Sequence, residues 1–257
     1  MREGDIVMKQ LLSVVLCVVI LLSGVVPVSA GTNATAHYFD YKLLRDGTVS
    51  ITGYNQDLDY DWSVLIIPRL IGGYTVSAIS DNAFLRASDI ETVVIKSSVQ
   101  VIGESAFQDS SVKHVFIQEG VETIGDHAFL NCTQLETLVI PSSVTTIGEQ
   151  AVGYVWQQDS ENPDVISDFM LYADNNDAAT AYSVETAVTL TDISQVPVGD
   201  IDFDGIASTK DVRTMLQYMT ISDIMFCLAN WQNADVNGDG DFNTTDARIL
   251  LTSVITQ

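Results

Sequence analysis

A short motif recurs four times in the middle of the chain at a nearly constant spacing. Its copies are ISDNAF, IGESAF, IGDHAF and IGEQAV, which begin at residues 79, 102, 124 and 147. Apolar triplets begin at residues 65, 93, 115 and 138, and the last three keep the same step as the motif. A fixed period in the low twenties indicates a solenoid, in which each unit supplies a short strand and a turn and buries its apolar edge only against its neighbours.

Four rows of side chains occupy equivalent positions in successive units and are predicted to form the core. Because each row stacks on itself in a solenoid, its members are expected to be buried. The rows are Ile95, Ile117 and Ile140; Val99, Val121 and Val144; Ile102, Ile124 and Ile147; and Phe84, Phe107 and Phe129.

These repeats resemble the leucine-rich repeats of bacterial surface antigens, the BspA-like type, over about residues 38–190. The resemblance implies an amino-terminal cap in FDYKLLRDGTVSITGYNQD and a closing strand, helix and strand in DFMLYADNNDAATAYSVETAVTL. Val152 departs from the family pattern because it stands where phenylalanine is expected. Asp177 is predicted to cap the closing helix, with an apolar side formed by Ala178, Ala181, Tyr182 and Val184.

The amino terminus is predicted to be a secretory signal, residues 1–30. An apolar run follows Lys9 and ends in Val28-Ser29-Ala30, a small-x-small cleavage pattern, whether translation starts at Met1 or Met8. The alternative is an uncleaved membrane anchor, which Gly24 and Pro27 disfavour because they interrupt a run already short for a spanning helix. We therefore expect a secreted, extracellular protein without membrane insertion after signal cleavage.

Cysteine usage argues against a disulfide framework. Cys17 lies in the predicted signal, and Cys132 and Cys227 lie in different predicted domains. Cys132 shares the repeat slot of Ala87 and Ser110. It is therefore predicted to be a small buried side chain, and the alternative is a reactive thiol.

Charge and motif content limit the function classes. Acidic residues outnumber basic ones 34 to 11, for a net charge of −23. This balance repels phosphate backbones and anionic membrane surfaces, so we expect no nucleic-acid partner. The chain holds no hydrolase elbow, metalloprotease helix or phosphate-cradling loop, and its three histidines form no ligand pattern. No catalytic residue is predicted.

Polar side chains alternate with the core rows on the predicted solenoid strands. Extended faces of this kind usually bind a partner, here of unknown identity, and the alternative is a solvated face without a ligand. The outward positions are Glu91, Thr92, Lys113, His114, Glu136 and Thr137.

Two acidic loops near the carboxyl terminus, DIDFDGIASTKD (200–211) and DVNGDGDFNTTD (235–246), superpose position by position. Each has oxygen ligands at positions 1, 3, 5, 9 and 12, glycine at position 6 and a main-chain carbonyl available at position 7. This is the spacing of calcium loops, so two Ca²⁺ ions are predicted. The predicted ligands are Asp200, Asp202, Asp204, Ile206, Ser208 and Asp211 in the first loop, and Asp235, Asn237, Asp239, Asp241, Asn243 and Asp246 in the second.

A helical pattern follows each loop, at residues 211–219 and 246–254, but none leads into the first loop, since residues 192–198 contain Pro197 and read as a linker. Loop then helix, twice, resembles a type I dockerin at residues 199–257. The predicted fold class is α+β: a short leucine-rich-repeat β-solenoid (residues 31–191) followed by this small all-α dockerin with two loop–helix F-hand motifs.

The dockerin resemblance implies a partner and a role. Dockerins plug secreted proteins into cohesin modules of a bacterial scaffoldin, commonly in a cellulosome that degrades polysaccharides. The family's partner-reading positions correspond here to Thr209, Lys210, Leu216, Gln217, Thr244, Thr245, Leu251 and Thr252. We expect a non-catalytic scaffold component whose solenoid binds protein or polysaccharide. The alternatives are a polysaccharide-degrading enzyme and a cell-surface adhesin, each attached through the dockerin.

Overall fold

The repeat motifs form the turns and strands of a solenoid in the computed structural model, which describes residues 37–157, 162–166, 168–201, 205–219, 234, 236, 237 and 244–255. The predicted signal, residues 1–30, lies outside this range. The described residues belong to one compact unit, Ala34–Gln257. None of their helices is long and apolar enough to cross a membrane.

Each of the three central repeats contributes one four-residue and one two-residue strand, and the two kinds line opposite faces of the solenoid. Strands of the long-strand face are β3 (Val64–Ile66), β6 (Thr92–Ile95), β8 (His114–Ile117), β10 (Thr137–Ile140), β14 (Met170–Ala173) and β15 (Thr189–Asp192). The short-strand face consists of β1 (Phe39–Leu43), β2 (Val49–Tyr54), β5 (Tyr74–Ile79), β7 (Val101–Ile102), β9 (Thr123–Ile124) and β11 (Thr146–Ile147). Two small antiparallel pairings are made by β4 (Leu70–Ile71) with β5, and by β12 (Tyr154–Val155) with β13 (Asp164–Val165).

The strand register follows from the repeat. Successive strands pair in parallel, so Ile95 lies opposite Ile117 and Ile102 lies opposite Ile124. The predicted core rows are buried, with Ile147 at the end of its row half-buried. The three phenylalanine rings stack with centroids 5.0 and 5.2 Å apart and interplanar angles of 11° and 1°. The prediction of a stacked ring row is thus confirmed.

Glycine in the repeat motif allows neighbouring coils to approach closely. A Cβ placed on Gly125 would lie 2.8 Å from the backbone nitrogen of Glu104 in the preceding coil. That separation is too short for any side chain, so the turns stack backbone against backbone.

The amino-terminal cap is the antiparallel pair β1–β2, closed over the first coil by aromatic side chains. Trp62 is buried and packs edge-on against Phe39 and Tyr54, with centroids 5.8 and 4.9 Å away. Tyr54 also lies 5.6 Å from Phe84, which continues the ring row into the cap. Sequence reasoning did not identify this cluster, because its members are scattered along the cap.

The carboxyl-terminal cap consists of β14, helix α1 (Asp177–Thr186) and β15. The helix cap predicted at Asp177 is wrong by one residue: Asn176 is the N-cap, and its side chain accepts the backbone N–H of Ala179. The buried side shifts accordingly to Ala179 and Tyr182, whereas Val184 is exposed. The Tyr182 hydroxyl donates to the carbonyl of Val152 and accepts its N–H, which closes the coil where the phenylalanine is missing.

Within the described residues, two helices follow the solenoid and its short 3₁₀ turn Ile193–Gln195, namely α2 (Thr209–Met219) and α3 (Thr244–Ile255). Both begin two residues earlier than the sequence predicts. They pack against one another around a small apolar cluster separate from the solenoid core. Its buried members are Ile201, Val212, Met215, Ala234, Ala247 and Leu250.

Candidate calcium site and partner surface

The last residue of the first acidic loop, Asp211, forms hydrogen bonds with residues near both ends of the loop. Asp211 is fully buried, and its Oδ1 accepts the backbone N–H of Ile201 at 2.7 Å. Its Oδ2 accepts the N–H and the hydroxyl of Ser208 at 2.7 and 3.1 Å. The two ends of the loop are therefore tied to one carboxylate.

The same hydrogen bonds start helix α2. Ser208 precedes the helix and accepts the N–H of Lys210 at 3.1 Å, while Asp211 reaches back to the N–H of Ser208. This reciprocal pair is a capping box with aspartate in place of glutamate. Position 12 of the loop thus serves both as a predicted ligand and as a helix cap.

Asp200, at position 1, is 1% exposed, and its Oδ2 accepts the N–H of Gly205 at 2.9 Å. Gly205 has φ +88°, a left-handed conformation that glycine adopts without strain. Ile206, whose carbonyl is the predicted position-7 ligand, is exposed. Asp202 and Asp204 lie outside the described residues.

The second loop repeats part of this arrangement. Asp246 is fully buried, and its Oδ1 accepts the N–H of Asn237 at 3.3 Å. As in the first loop, the carboxylate at position 12 therefore bonds to the backbone at the loop's start. Asp235, Asp239, Asp241 and Asn243 lie outside the described residues.

The donor set fits calcium. Asp200, Asp211 and Asp246 are buried in a small module, and burying ionised carboxylates costs free energy unless charge or hydrogen bonds compensate. Backbone N–H groups supply part of this compensation, and a hard divalent cation that takes six to eight oxygens would supply the rest. Among the described residues, no three histidine, cysteine, aspartate or glutamate side chains form a metal-binding group by themselves.

The predicted partner-reading positions whose side chains the structure describes are exposed or half-buried. Leu216 and Leu251 are 47% and 37% exposed. Thr209, Lys210, Thr244 and Thr252 are exposed and Thr245 is half-buried, while the side chain of Gln217 lies outside the described residues. Two large apolar side chains thus sit at the surface among polar ones.

A shallow cavity of about 340 Å³ adjoins Thr252 on helix α3, lined also by Arg248, Ile249 and Ser253. Sequence reasoning did not assign these three residues to the partner surface. Arg248 and Ile249 lie three to four residues from predicted positions 245 and 252 on the same helix, and Ser253 directly follows position 252; this is the signal that would have found them.

On the solenoid, the predicted polar positions are at least partly exposed. Lys113 Nζ lies 3.0 Å from Glu91 Oε1 in the preceding coil. His114 follows as the first residue of β8, and no group of three histidine, cysteine, aspartate or glutamate side chains that could hold a metal is found within the described residues. The structure therefore gives this face charge and hydrogen-bonding capacity but no recognisable catalytic group among these positions.

Family comparisons agree with this division of the chain. Residues 67–160 match the BspA type Leucine rich repeat region, in 6 copies. Residues 198–254 match the Dockerin type I domain. The chain carries a BspA-type leucine-rich repeat region followed by a type I dockerin domain. Both are non-catalytic modules typical of extracellular or cell-surface proteins.

Similar solved structures are also leucine-rich repeat proteins. One from T. pallidum is 23% identical, with 63% of this chain and 64% of that chain covered and a TM-score of 0.44. One from Bacteroides capillosus is 26% identical, with 48% and 95% covered and a TM-score of 0.42. A cell surface protein from Faecalibacterium prausnitzii is 22% identical, with 63% and 44% covered and a TM-score of 0.41.

The chain spans less than two thirds of the T. pallidum and F. prausnitzii proteins. No curated protein matches it significantly. The type I dockerin therefore carries the functional information: such domains typically bind calcium, and a dockerin implies a cohesin partner and a cellulosome-type assembly.

Proposed function

We propose that this protein is a secreted, non-catalytic component of a cohesin–dockerin assembly. The observation that carries the proposal is the pair of loop–helix units whose position-12 aspartates, Asp211 and Asp246, are buried and bonded to the start of their own loops. In this role the dockerin attaches the chain to a scaffoldin, and the solenoid presents a binding face.

Two calcium ions, one per loop, complete the attachment module in this proposal. When bound, each ion supplies positive charge that holds the loop carboxylates together. Asp200, the carbonyl of Ile206, Ser208 and Asp211 would hold the first ion, and Asn237 and Asp246 the second, each together with the predicted ligands that lie outside the described residues. Helices α2 and α3 then keep Leu216 and Leu251 at the surface for a cohesin.

In this proposal the solenoid binds protein or polysaccharide through the outward polar side chains of its long-strand face. Glu91, Lys113 and Glu136 follow one another on successive coils and reach solvent. Alternating charges of this kind suit a polar ligand that runs along the coils. The proposal assigns no reaction to this face.

An array of cohesins probed with the mature protein tests the attachment. We expect capture by at least one cohesin in calcium and loss of capture in chelator. The double variant Asp211→Asn, Asp246→Asn should lose both calcium affinity and capture, whereas the variant Asp168→Asn, at an exposed aspartate just before β14, should lose neither.

The double variant Leu216→Ser, Leu251→Ser separates recognition from folding. It should keep calcium affinity and lose capture, because both side chains are exposed. Absence of calcium-dependent capture by every cohesin would overturn the attachment role. Hydrolysis of a polysaccharide by the full chain would replace the non-catalytic role with the enzyme alternative, and adhesion to host proteins would favour the adhesin.

A further inference from the structure

The long-strand face carries an apolar row on its outward side. Side chains alternate along a strand, so Val93 and Ile95 point into the solenoid while Val94 points out. The register pairs Val94 with Phe116 and Val139 with Tyr172. Together these four side chains form what we call the outer row.

The outer row is covered. Val94 and Tyr172 are 0% and 5% exposed, yet neither belongs to the apolar cluster that fills the solenoid. Two buried side chains on the outside of a sheet require something packed over them. The polar positions two residues earlier on the same strands, His114 among them, are not covered in this way.

Over Phe116, the covering element is the dockerin of the same chain. Phe116 packs against the cluster formed by Ile201, Met215, Leu250 and their neighbours. Ile201, at position 2 of the first calcium loop, belongs to the cluster against which Phe116 packs. The first calcium loop therefore lies close to the outer row.

Connectivity favours the same arrangement. Strand β15, beside β14 at the end of the long-strand face, stops at Asp192, and Ile201 is already in the dockerin cluster. A 3₁₀ turn takes up part of this short connection. A Cβ on Gly199 would lie 2.6 Å from Leu250 Cδ1, so helix α3 packs directly against the end of the connection. Because the connection from Asp192 to Ile201 is short and packed, it keeps the dockerin beside the long-strand face.

We propose that the outer row is an intramolecular docking site for the dockerin, and that docking and calcium loading of the first loop stabilise each other. Docking leaves Leu216, Leu251 and the polar face of the solenoid exposed. The two modules thus present their partner surfaces in a fixed relation. The docking does not depend on the proposed function, whereas its coupling to calcium rests on it.

The test compares full-length wild type with Phe116→Asp, which places a charge in the interface. Phe116→Leu is the conservative variant, and Val101→Asp is the control, since Val101 is exposed on the short-strand face. Hydroxyl-radical footprinting measures the exposure of Tyr172 with calcium and with chelator, and calorimetric titration measures calcium affinity.

We expect Tyr172 to be protected in wild type with calcium and labelled in chelator. In Phe116→Asp, Tyr172 should be labelled even with calcium. Calcium affinity should be weaker by at least about fivefold, the lower end of the usual range for coupling between two sites. Phe116→Leu should restore protection, and Val101→Asp should change neither quantity. Unchanged Tyr172 labelling in Phe116→Asp would overturn the docking.

Further outcomes distinguish the two proposals. Equal calcium affinity in wild type and Phe116→Asp, despite labelling of Tyr172, would remove the coupling and leave the docking. Because the partner positions remain exposed, Phe116→Asp should still be captured by a cohesin at saturating calcium. Failure of wild type to bind any cohesin, with Tyr172 protected as expected, would remove the attachment role and leave the docking.

Discussion

The contribution of a single core residue to the stability of the solenoid depends on its equivalents in the neighbouring repeats. Phe107 lies between Phe84 and Phe129 in the ring row, so its replacement breaks two stacked contacts at once. We expect Phe107→Ala to lower the free energy of unfolding by about 3–5 kcal/mol, the usual cost of removing a buried aromatic side chain. Urea denaturation followed by circular dichroism would measure this.

Leu85→Ala is the matched control, because Leu85 is a large apolar side chain next to the ring row and exposed. It should change stability by no more than about 0.5 kcal/mol, as surface substitutions generally do. A similarly small effect for Phe107→Ala would mean that the rings do not form a continuous core.

The thiol of Cys132 is predicted to be inert in the folded protein. Burial raises its pKa to about 11, and the thiol donates to the carbonyl of Phe107 at 3.1 Å. Between pH 9 and 11 the unfolded chain releases this proton and the folded chain retains it. As pH rises through that window, the free energy of unfolding of wild type should therefore fall relative to that of Cys132→Ala.

Alkylation at pH 8, mapped to the Cys132 peptide by mass spectrometry, gives a direct readout. The folded chain should resist the reagent and the denatured chain should react. Rapid labelling of the native protein would revive the alternative of a reactive thiol.

At the scale of elements, the closing helix α1 depends on Asn176. Its Oδ1 accepts the N–H of Ala179, and its Nδ2 donates to the carbonyls of Pro141 and Val144 in the last coil. Asn176→Ala removes a helix cap, worth about 1 kcal/mol, and leaves two buried carbonyls without this donor. We expect a total loss of about 2–4 kcal/mol in thermal or urea unfolding.

Asp177→Ala provides the comparison, because Asp177 is exposed in the first turn of the same helix. Its loss should cost less than about 1 kcal/mol through the helix dipole alone. An equal effect of the two substitutions would contradict the capping and bridging role of Asn176.

The strands and core rows could be predicted from sequence because the repeat fixes which side chains stack. The helix cap could not, since Asn176 and Asp177 are both good capping residues and only burial against Pro141 and Val144 decides between them. The loops were recognisable for a similar reason: calcium ligation imposes a spacing that Asp200, Ser208 and Asp211 satisfy. Their carboxylate hydrogen bonds with backbone N–H groups become apparent only in three dimensions.

At the scale of the whole molecule, no local sequence pattern predicts that the dockerin packs on the outer row. Val94, Phe116 and Tyr172 read there as ordinary strand residues, because apolar side chains on both faces are also typical of a buried strand. The interface combines segments separated by tens of residues along the chain. This interface becomes visible only from the register of the strands and from the burial of side chains on both faces of the sheet.

Calcium removal should act unequally on the two modules. The dockerin spans only residues 198–254, and a module of this length can bury little apolar surface, so bound metal is expected to be part of its stability. At a calcium concentration a hundred times the Kd, each site contributes about 2.7 kcal/mol. The solenoid core contains no predicted calcium ligand, and α1 with β14 and β15 closes its end. Hydrogen exchange with mass spectrometry should therefore show α2 and α3 losing protection in chelator while β6, β7 and β8 keep theirs.

The double variant Asp211→Asn, Asp246→Asn in calcium should reproduce the chelator pattern of wild type, and Asp168→Asn should not. Protection of α2 and α3 that persists in chelator would mean that the module folds without metal. Loss of protection in β6, β7 and β8 together with α2 would mean that the modules unfold as one. Retained solenoid protection is the expected result, because the outer row lies outside the stacked rings and docking adds to a core that is already closed at both ends.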